Sequence, residues 1–259
     1  MPADSPTPFP PPDRRLARAF RWYLERLARR QFTAVHWSGP PAADAVDRSR
    51  PVIFIANHTN WWDGFLACLT TGALGLDFQV LMEAAHLARY PFFRRVGAIP
   101  LRRTGAFARH ADLMAARGAL RPGTGLWVFP QGARRPAAER PASFERGAAA
   151  LALGHPGPVQ VWPVAIRYAF VGEQRPEAFV GLGDPWTPAP AERTDRRELT
   201  LAMERRLLDT LDRLDQRLAR EELTAFTPLV RGAASVNKRL DRIRHALGLL
   251  DGPFEERNG

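Results

Sequence analysis

The sequence predicts an α/β fold, with a mostly parallel central sheet flanked by helices, an amphipathic amino-terminal helix and a long carboxyl-terminal helix. Short apolar runs of strand length alternate along the chain with segments of helical periodicity. Alternation of this kind is typical of parallel sheets covered by helices. The composition is that of a globular protein, with 45% hydrophobic and 25% charged residues. Disordered and fibrous proteins are therefore excluded.

The amino-terminal part of the chain divides into a leader and a helix. Residues 1–13 are proline-rich and lack the basic start and apolar core of a secretory signal, so we expect a disordered leader. Residues 14–34 are predicted to contain a basic amphipathic helix, because Leu16, Phe20, Leu24 and Leu27 recur at helical spacing among arginines. The sequence leaves two roles open for this helix. It covers the core, or it lies in the head-group layer of an anionic membrane.

The remaining elements are predicted from apolar runs and their periodicity. Residues 51–56 contain a continuous Val-Ile-Phe-Ile run, which indicates a central strand buried on both faces. The other predicted elements are a helix over 66–76, a turn and strand over 94–103, strands over 78–82, 125–129, 160–166 and 180–182, and a long amphipathic helix over 192–222. We find no repeat and no second domain. Residues 35–259 are thus predicted to form one domain with a carboxyl-terminal helical extension.

Charge and cysteine content restrict the partners and the setting. The 37 basic and 27 acidic residues give a formal net charge of +10, and Lys238 is the only lysine. This charge favours phosphate-bearing partners such as nucleic acid, anionic lipid or a phosphorylated substrate. The single cysteine, Cys68, cannot form an internal disulfide, which indicates a reducing compartment. No apolar stretch reaches the ~18 residues that a spanning helix requires.

A histidine and an aspartate follow directly on the predicted central strand. His58 is placed at the carboxyl end of the sheet, where open α/β folds bind their ligands, and Asp63 comes five residues later. An imidazole can take a proton from an alcohol while a carboxylate orients the ring. Alternatively, Asn60 and Asp63 form a helix-capping arrangement without chemistry. The two interpretations are compatible, since a capped helix would fix the carboxylate beside the histidine.

Arginines surround two further predicted strand ends. One group lies in residues 94–103 and the other in residues 129–135, where Phe-Pro-Gln-Gly-Ala-Arg-Arg follows a strand. Guanidinium groups match the geometry of phosphate through paired donors. A solvated basic surface is the alternative for each group.

Together and in this order, the motifs resemble those of the glycerophospholipid acyltransferases, the family of 1-acylglycerol-3-phosphate (lysophosphatidic acid) acyltransferases. The resemblance covers residues 35–185 approximately. The blocks that match are His58 with Asp63, Gly97 to Arg103, Phe129 to Arg134 against Phe-Pro-Glu-Gly-Thr-Arg, Phe144 to Ala148, and Val161 to Ile166.

The resemblance implies transfer of a fatty acyl group from coenzyme A or acyl carrier protein to the hydroxyl of a lysophospholipid such as 1-acylglycerol 3-phosphate, in phospholipid biosynthesis. It implies His58 as general base and Asp63 as its orienting partner, with oxyanion donors near Gly132. The expected phosphate-binding residues are Arg103 and Arg134, with Arg102 in a secondary role. No metal or bound cofactor is required. The expected location is the cytoplasm, peripheral on the inner face of the cell membrane, with the anionic membrane surface as a partner.

Three departures from the family pattern concern the acceptor. Gln131 and Ala133 replace the usual glutamate and threonine, and Arg102 stands where an acidic residue is common. Another lipid alcohol, such as a glycolipid or a carotenoid-derived hydroxyl, is therefore the alternative acceptor.

Two other functions rank lower. A metal-dependent phosphoesterase would use His58 and Asp63 as ligands, but the remaining histidines show no ligand spacing. A basic nucleic-acid-binding module would need a recognition motif, and the sequence offers none, so no nucleic-acid partner is expected.

Overall fold

The computed structural model describes residues 11–39, 46–140, 143–171, 174–189 and 195–232. The strands are β1 Ala34–Ser38, β2 Val52–Ala56, β3 Asp77–Glu83, β4 Ala98–Leu101, β5 Thr124–Val128, β6 Gln160–Ala169, β7 Glu177–Leu182 and β8 Thr227–Arg231. The helices are α1 Arg14–Gln31, α2 Asp63–Ala73, α3 Ala84–Arg89, α4 Phe92–Arg95, α5 Ala106–Ala116, α6 Gly147–Gly154 and α7 Arg196–Ala219.

The strands form a single eight-stranded sheet in the order β4-β3-β5-β2-β6-β7-β1-β8. The first five of these run parallel to one another. Strand β7 is antiparallel to β6, β1 is parallel to β7, and β8 is antiparallel to β1. The predicted fold class, a mostly parallel sheet flanked by helices, is thus confirmed. The carboxyl ends of five strands lie along one edge of the sheet.

The sheet separates two apolar layers, and β2 contributes to both. Phe54 faces the layer formed with α1, α2 and α3, whereas Ile53 and Ile55 face the layer formed with α5, α6 and α7. All five residues of β2 are buried, as expected for a central strand. Within the described ranges, no helix combines the length and the apolar character needed to cross a membrane.

Helix α1 covers the core. Its Leu24 and Ala28 are fully buried, and Phe20 and Leu27 pack against the same cluster. Of the two roles that the sequence left open, the structure therefore shows packing on the core. Because the core occupies the face that carries Leu24 and Leu27, membrane contact through this helix stays a prediction for its other side chains.

The predicted leader ends earlier than residue 13. The carboxylate of Asp13 accepts hydrogen bonds from the backbone N–H groups of Arg15 and Leu16 and so caps α1, while its own N–H donates to the carbonyl of Arg95. Pro12 is buried. Residues 1–10 of the predicted leader lie outside the described residues.

Candidate active site

The predicted pair meets at the carboxyl edge of the parallel strands. His58 follows the end of β2 by two residues, and Asp63 is the first residue of α2. The Nδ1 atom of His58 lies 2.8 Å from Oδ2 of Asp63. The side chain of Asp63 is fully buried, whereas 24% of the His58 side chain is exposed. The pair thus presents its imidazole to solvent and keeps its carboxylate inside.

The turn between the two residues holds the carboxylate in place. Oδ2 of Asp63 also accepts the backbone N–H groups of Thr59 and Asn60, at 2.7 and 2.8 Å. The side-chain oxygen of Asn60 in turn accepts the N–H of Trp62 at 3.1 Å. The side chains of Asn60 and Asp63 thus bond within the turn that leads into α2. The N-cap of α2 is Trp62 and has no side-chain cap, so the predicted N-cap role of Asn60 is wrong.

The carboxylate determines which imidazole nitrogen can act as a base. An ionised carboxylate only accepts hydrogen bonds, so Nδ1 of His58 carries the proton and Nε2 has a free lone pair. Nε2 has no hydrogen-bond partner among the residues that the structure describes. The ring stacks on Phe129, with centroids 4.5 Å apart. The lone pair of Nε2 is thus available to act as a general base.

A tyrosine that the sequence analysis missed completes the surroundings of Asp63. The hydroxyl of Tyr168, near the end of β6, donates to Oδ1 of Asp63 at 2.6 Å. Burial and, secondarily, the negative charge of Asp63 raise the pKa of Tyr168 far above its usual value, so this hydroxyl keeps its proton. The predicted strand over 160–166 stopped too early to bring Tyr168 to the site.

The loop after β5 holds the backbone of His58 from both sides. The side-chain oxygen of Gln131 accepts the N–H of His58 at 2.6 Å, and the N–H of Arg135 donates to the carbonyl of His58 at 2.9 Å. Asn57 exchanges two hydrogen bonds with the backbone of Ile166 on β6. The three central strand ends are therefore connected around His58.

The glycine of this loop makes a tight turn. Gly132 has φ +68°, a left-handed conformation that favours glycine, and a Cβ there would collide with the carboxylate of Glu145. Its N–H donates to the carbonyl of Phe129 at 3.1 Å. The next two backbone N–H groups, of Ala133 and Arg134, have no acceptor within the described part of the chain. These two, rather than that of Gly132, are free to bind an oxyanion.

Comparison with known proteins agrees with this geometry. A family model described as Acyltransferase matches residues 41–167, a segment that contains both members of the pair and the Gly132 turn. The segment that carries the site therefore matches an acyltransferase family, which supports an acyltransferase enzyme. The matched segment stops one residue before Tyr168. No curated protein matches the chain.

The acyltransferase does not bring all the predicted phosphate-binding arginines to the pair. Arg102 and Arg103 follow β4, the edge strand, which lies three strands from β2. At about 4.8 Å per strand, β4 lies roughly 14 Å from β2. Arg134 follows the central strand β5 and has no acidic partner among the described residues. The pair and Arg134 are thus neighbours, whereas the other two arginines lie further along the edge.

Arg102 is already paired within the acyltransferase. Its guanidinium donates to both oxygens of Asp112, at 2.8 and 2.6 Å, and its backbone N–H donates to the same carboxylate. This pairing raises the pKa of Arg102 and lowers that of Asp112. Arg103 makes a looser contact with Glu83, at 3.8 Å. A phosphate would have to compete with Asp112 for Arg102.

The single cysteine lies inside the acyltransferase core. Cys68 is buried on α2, and burial raises the pKa of its thiol to about 12. A thiol in this environment is not a nucleophile at neutral pH. Within the described ranges, no group of three or more histidine, cysteine, aspartate or glutamate residues is arranged to hold a metal ion.

Proposed function

We propose that the protein transfers a fatty acyl group from a thioester, on coenzyme A or acyl carrier protein, directly to the hydroxyl of a lysophospholipid such as 1-acylglycerol 3-phosphate. The observation that carries this proposal is the His58–Asp63 contact of 2.8 Å with Nε2 left free. It supplies a base for an alcohol without a covalent enzyme intermediate. This reaction would belong to phospholipid biosynthesis.

In the proposed reaction, Nε2 of His58 takes the proton of the acceptor hydroxyl while that oxygen bonds to the thioester carbonyl carbon. The negative charge moves to the carbonyl oxygen, and we assign the N–H groups of Ala133 and Arg134 as its donors. The tetrahedral intermediate then collapses, the carbon–sulfur bond breaks, and the imidazolium returns the proton to sulfur. The products are an ester and a free thiol.

The acceptor phosphate is assigned to Arg134, with Arg103 as a more distant contact. A specific observation favours an uncharged lipid alcohol, such as a glycolipid or a carotenoid-derived hydroxyl, as second candidate. Arg102 is occupied by Asp112, Gln131 is neutral, and the carboxylate of Glu145 lies against the Gly132 turn. Glu145, which contacts Arg109 at 3.8 Å, adds no attraction for a phosphate at that turn.

We propose that the protein acts at an anionic membrane surface through an aromatic face that reaches the active site. The rings of this face touch in sequence, from Tyr23 to Phe20, from Phe20 to Phe65 and Phe92, and from Phe65 to Trp61. Tyr23 and Trp61 are 54% and 52% exposed. Aromatic side chains are enriched at membrane interfaces, and Trp61 lies only three residues after His58.

The charge on α1 supports the same surface. This helix contains seven arginines and one glutamate, namely Arg14, Arg15, Arg18, Arg21, Arg26, Arg29 and Arg30 against Glu25. Basic residues near an anionic bilayer each contribute about 1 kcal/mol to binding.

The test is incubation of the purified full chain with acyl-coenzyme A or acyl carrier protein thioester and a panel of acceptors. The panel contains lysophosphatidic acid, monoacylglycerol and a glycolipid, and new esters are identified by mass spectrometry. We expect an ester with wild type, no ester with His58→Ala, and normal product with His110→Ala, an exposed histidine on α5. Thioester hydrolysis without any new ester would contradict the proposal.

A further inference from the structure

The fully buried carboxylate of Asp63 divides its hydrogen bonds unequally between its two oxygens. Oδ2 accepts three N–H groups, from the imidazole of His58 and from the backbone of Thr59 and Asn60. Oδ1 accepts a single donor among the described residues, the hydroxyl of Tyr168. Without that hydroxyl, a buried and charged oxygen would have no donor, which costs free energy.

The ring of Tyr168 is held independently of its hydroxyl. It stacks on Phe32, at the end of α1, with centroids 6.0 Å apart, and Phe32 also packs on Trp62 at 4.8 Å. Tyr168 itself belongs to β6 and pairs with Ala178 of β7, whereas β2 pairs with the earlier part of β6, up to Val164. The hydroxyl therefore approaches Asp63 from a rigid strand that is 105 positions away in sequence.

We propose that Tyr168 is a positioning residue for acyl transfer, and that its hydroxyl anchors Oδ1 of Asp63 so that Oδ2 faces Nδ1 of His58. The inference rests on the proposed role of His58 as general base. A carboxylate fixed at one oxygen cannot rotate away from the imidazole.

Removing the hydroxyl has a predictable effect on pH dependence. In Tyr168→Phe, Oδ1 loses its donor while the ring keeps its packing. The less stabilised carboxylate makes the His58–Asp63 pair bind a proton more readily, and the protonated pair cannot act as a base. The acidic limb of the kcat/KM profile therefore moves to higher pH. A role limited to core packing would leave this limb unmoved.

The experiment compares wild type, Tyr168→Phe, Asp63→Asn and the double variant at several pH values, with whichever thioester and acceptor give product. For Tyr168→Phe we expect kcat to fall by about 10-fold, KM values to change less than 2-fold, and the acidic limb to rise by up to about one pH unit. The double variant is expected to lose no more activity than Asp63→Asn alone, because both changes act on one carboxylate.

Tyr90→Phe is the matched control, since Tyr90 is exposed and its hydroxyl bonds to none of the described residues. It is expected to keep the wild-type profile. Two results would overturn the role of Tyr168. One is a Tyr168→Phe variant with the kcat and the acidic limb of wild type. The other is a variant that loses kcat while its acidic limb stays unmoved and its loss adds to that of Asp63→Asn in the double variant. Full activity of His58→Ala would instead refute the proposed function, so the two failures are distinguishable.

Discussion

His58 and Asp63 lie only five residues apart, and their contact depends on one turn. If His58 is the base and Asp63 orients it, the two act as one unit, and their losses are not additive. We expect His58→Ala to reduce turnover by about 10⁴-fold or more and Asp63→Asn by about 10²-fold or more. The double variant should resemble His58→Ala. Steady-state kinetics with circular dichroism to verify folding checks this, and near-normal turnover in His58→Ala would refute the mechanism.

Cys68 tests whether the acyl group passes through an enzyme thiol. Its burial on α2 and its raised pKa of about 12 make a thiolate rare at neutral pH. Cys68→Ala is therefore expected to keep kcat within about 3-fold of wild type, since the thiol acts as a small buried hydrophobe. A covalent acyl-Cys68 species that turns over to product, detected by mass spectrometry, would overthrow direct transfer.

The two candidate acceptors differ in their need for Arg134. Loss of a phosphate contact in Arg134→Ala should raise KM for lysophosphatidic acid by about 10-fold or more and leave KM for an uncharged alcohol nearly unchanged. Arg103→Ala should act in the same direction with a smaller effect, because Arg103 lies three strands away and contacts Glu83. Arg102→Ala serves as a comparison, since Asp112 already occupies its guanidinium. Unchanged kinetics with lysophosphatidic acid in all three variants would favour the uncharged acceptor.

Local spacing predicts the pair but not its full surroundings. The contact between His58 and Asp63 can be predicted because a strand end and a helix start lie within a few residues of each other. Gln131 was visible as a departure from the family pattern, yet its contact with the backbone of His58 depends on the pairing of β2 with β5. The contact of Tyr168 depends on β6 extending to Ala169. Contacts of this kind require the sheet order, which no local pattern contains.

At the scale of the elements, Gly97 shows why the second motif contains a glycine. It precedes β4 with φ +115°, and a Cβ there would collide with the backbone carbonyl of Phe78 on β3. Gly123 also has a positive φ, +77°, but a Cβ added there would meet no atom within 4 Å. Gly123→Ala should cost about 1–2 kcal/mol from its backbone conformation alone. Gly97→Ala should cost about 1–3 kcal/mol more, because a backbone atom must move.

Urea denaturation of both variants measures this difference. Equal free energies of unfolding for Gly97→Ala and Gly123→Ala would show that the backbone at Phe78 of β3 moves away from a Cβ at residue 97 without a cost in stability. The collision would then not explain the glycine.

The elements that the sequence predicts are those with a strong period or an uninterrupted apolar run. Strand β2 and helix α7 belong to this group, because complete burial and a long amphipathic stripe leave clear patterns. Strand β8 was missed because its residues are mostly exposed or only partly buried at the sheet edge. Helix α6 was missed because its eight small and apolar residues have no polar face to mark a period.

At the scale of the whole molecule, α1 is part of the domain rather than an appendage. Leu24, Ala28 and Phe32 are buried, and Phe32 packs on Tyr168 beside the active site. Deleting the first 32 residues would therefore expose the core and disturb the site at once. Such a deletion cannot separate membrane binding from folding, so the test of membrane binding must change surface side chains only.

The aromatic face makes membrane binding testable by surface substitutions. Tyr23→Ser and Trp61→Ser together remove two exposed rings from the layer that contains α1 and α2. Loss of interfacial rings beside a basic helix should reduce binding to vesicles of phosphatidylglycerol and phosphatidylcholine by about 10-fold or more. Phe107→Ser is the matched control, because Phe107 is 87% exposed on α5, a helix that packs on the opposite face of the sheet.

Flotation at two salt concentrations measures this binding, and activity on a short-chain acceptor that is soluble in water shows whether the site is intact. We expect the double variant to lose flotation and to keep activity on the soluble acceptor, whereas Phe107→Ser keeps both. Higher salt should weaken the flotation of wild type, since the arginines of α1 act through screened charge. Equal flotation of wild type and the double variant would show that this face does not meet the membrane, and a lipid acceptor would then have to reach His58 by another side of the carboxyl edge.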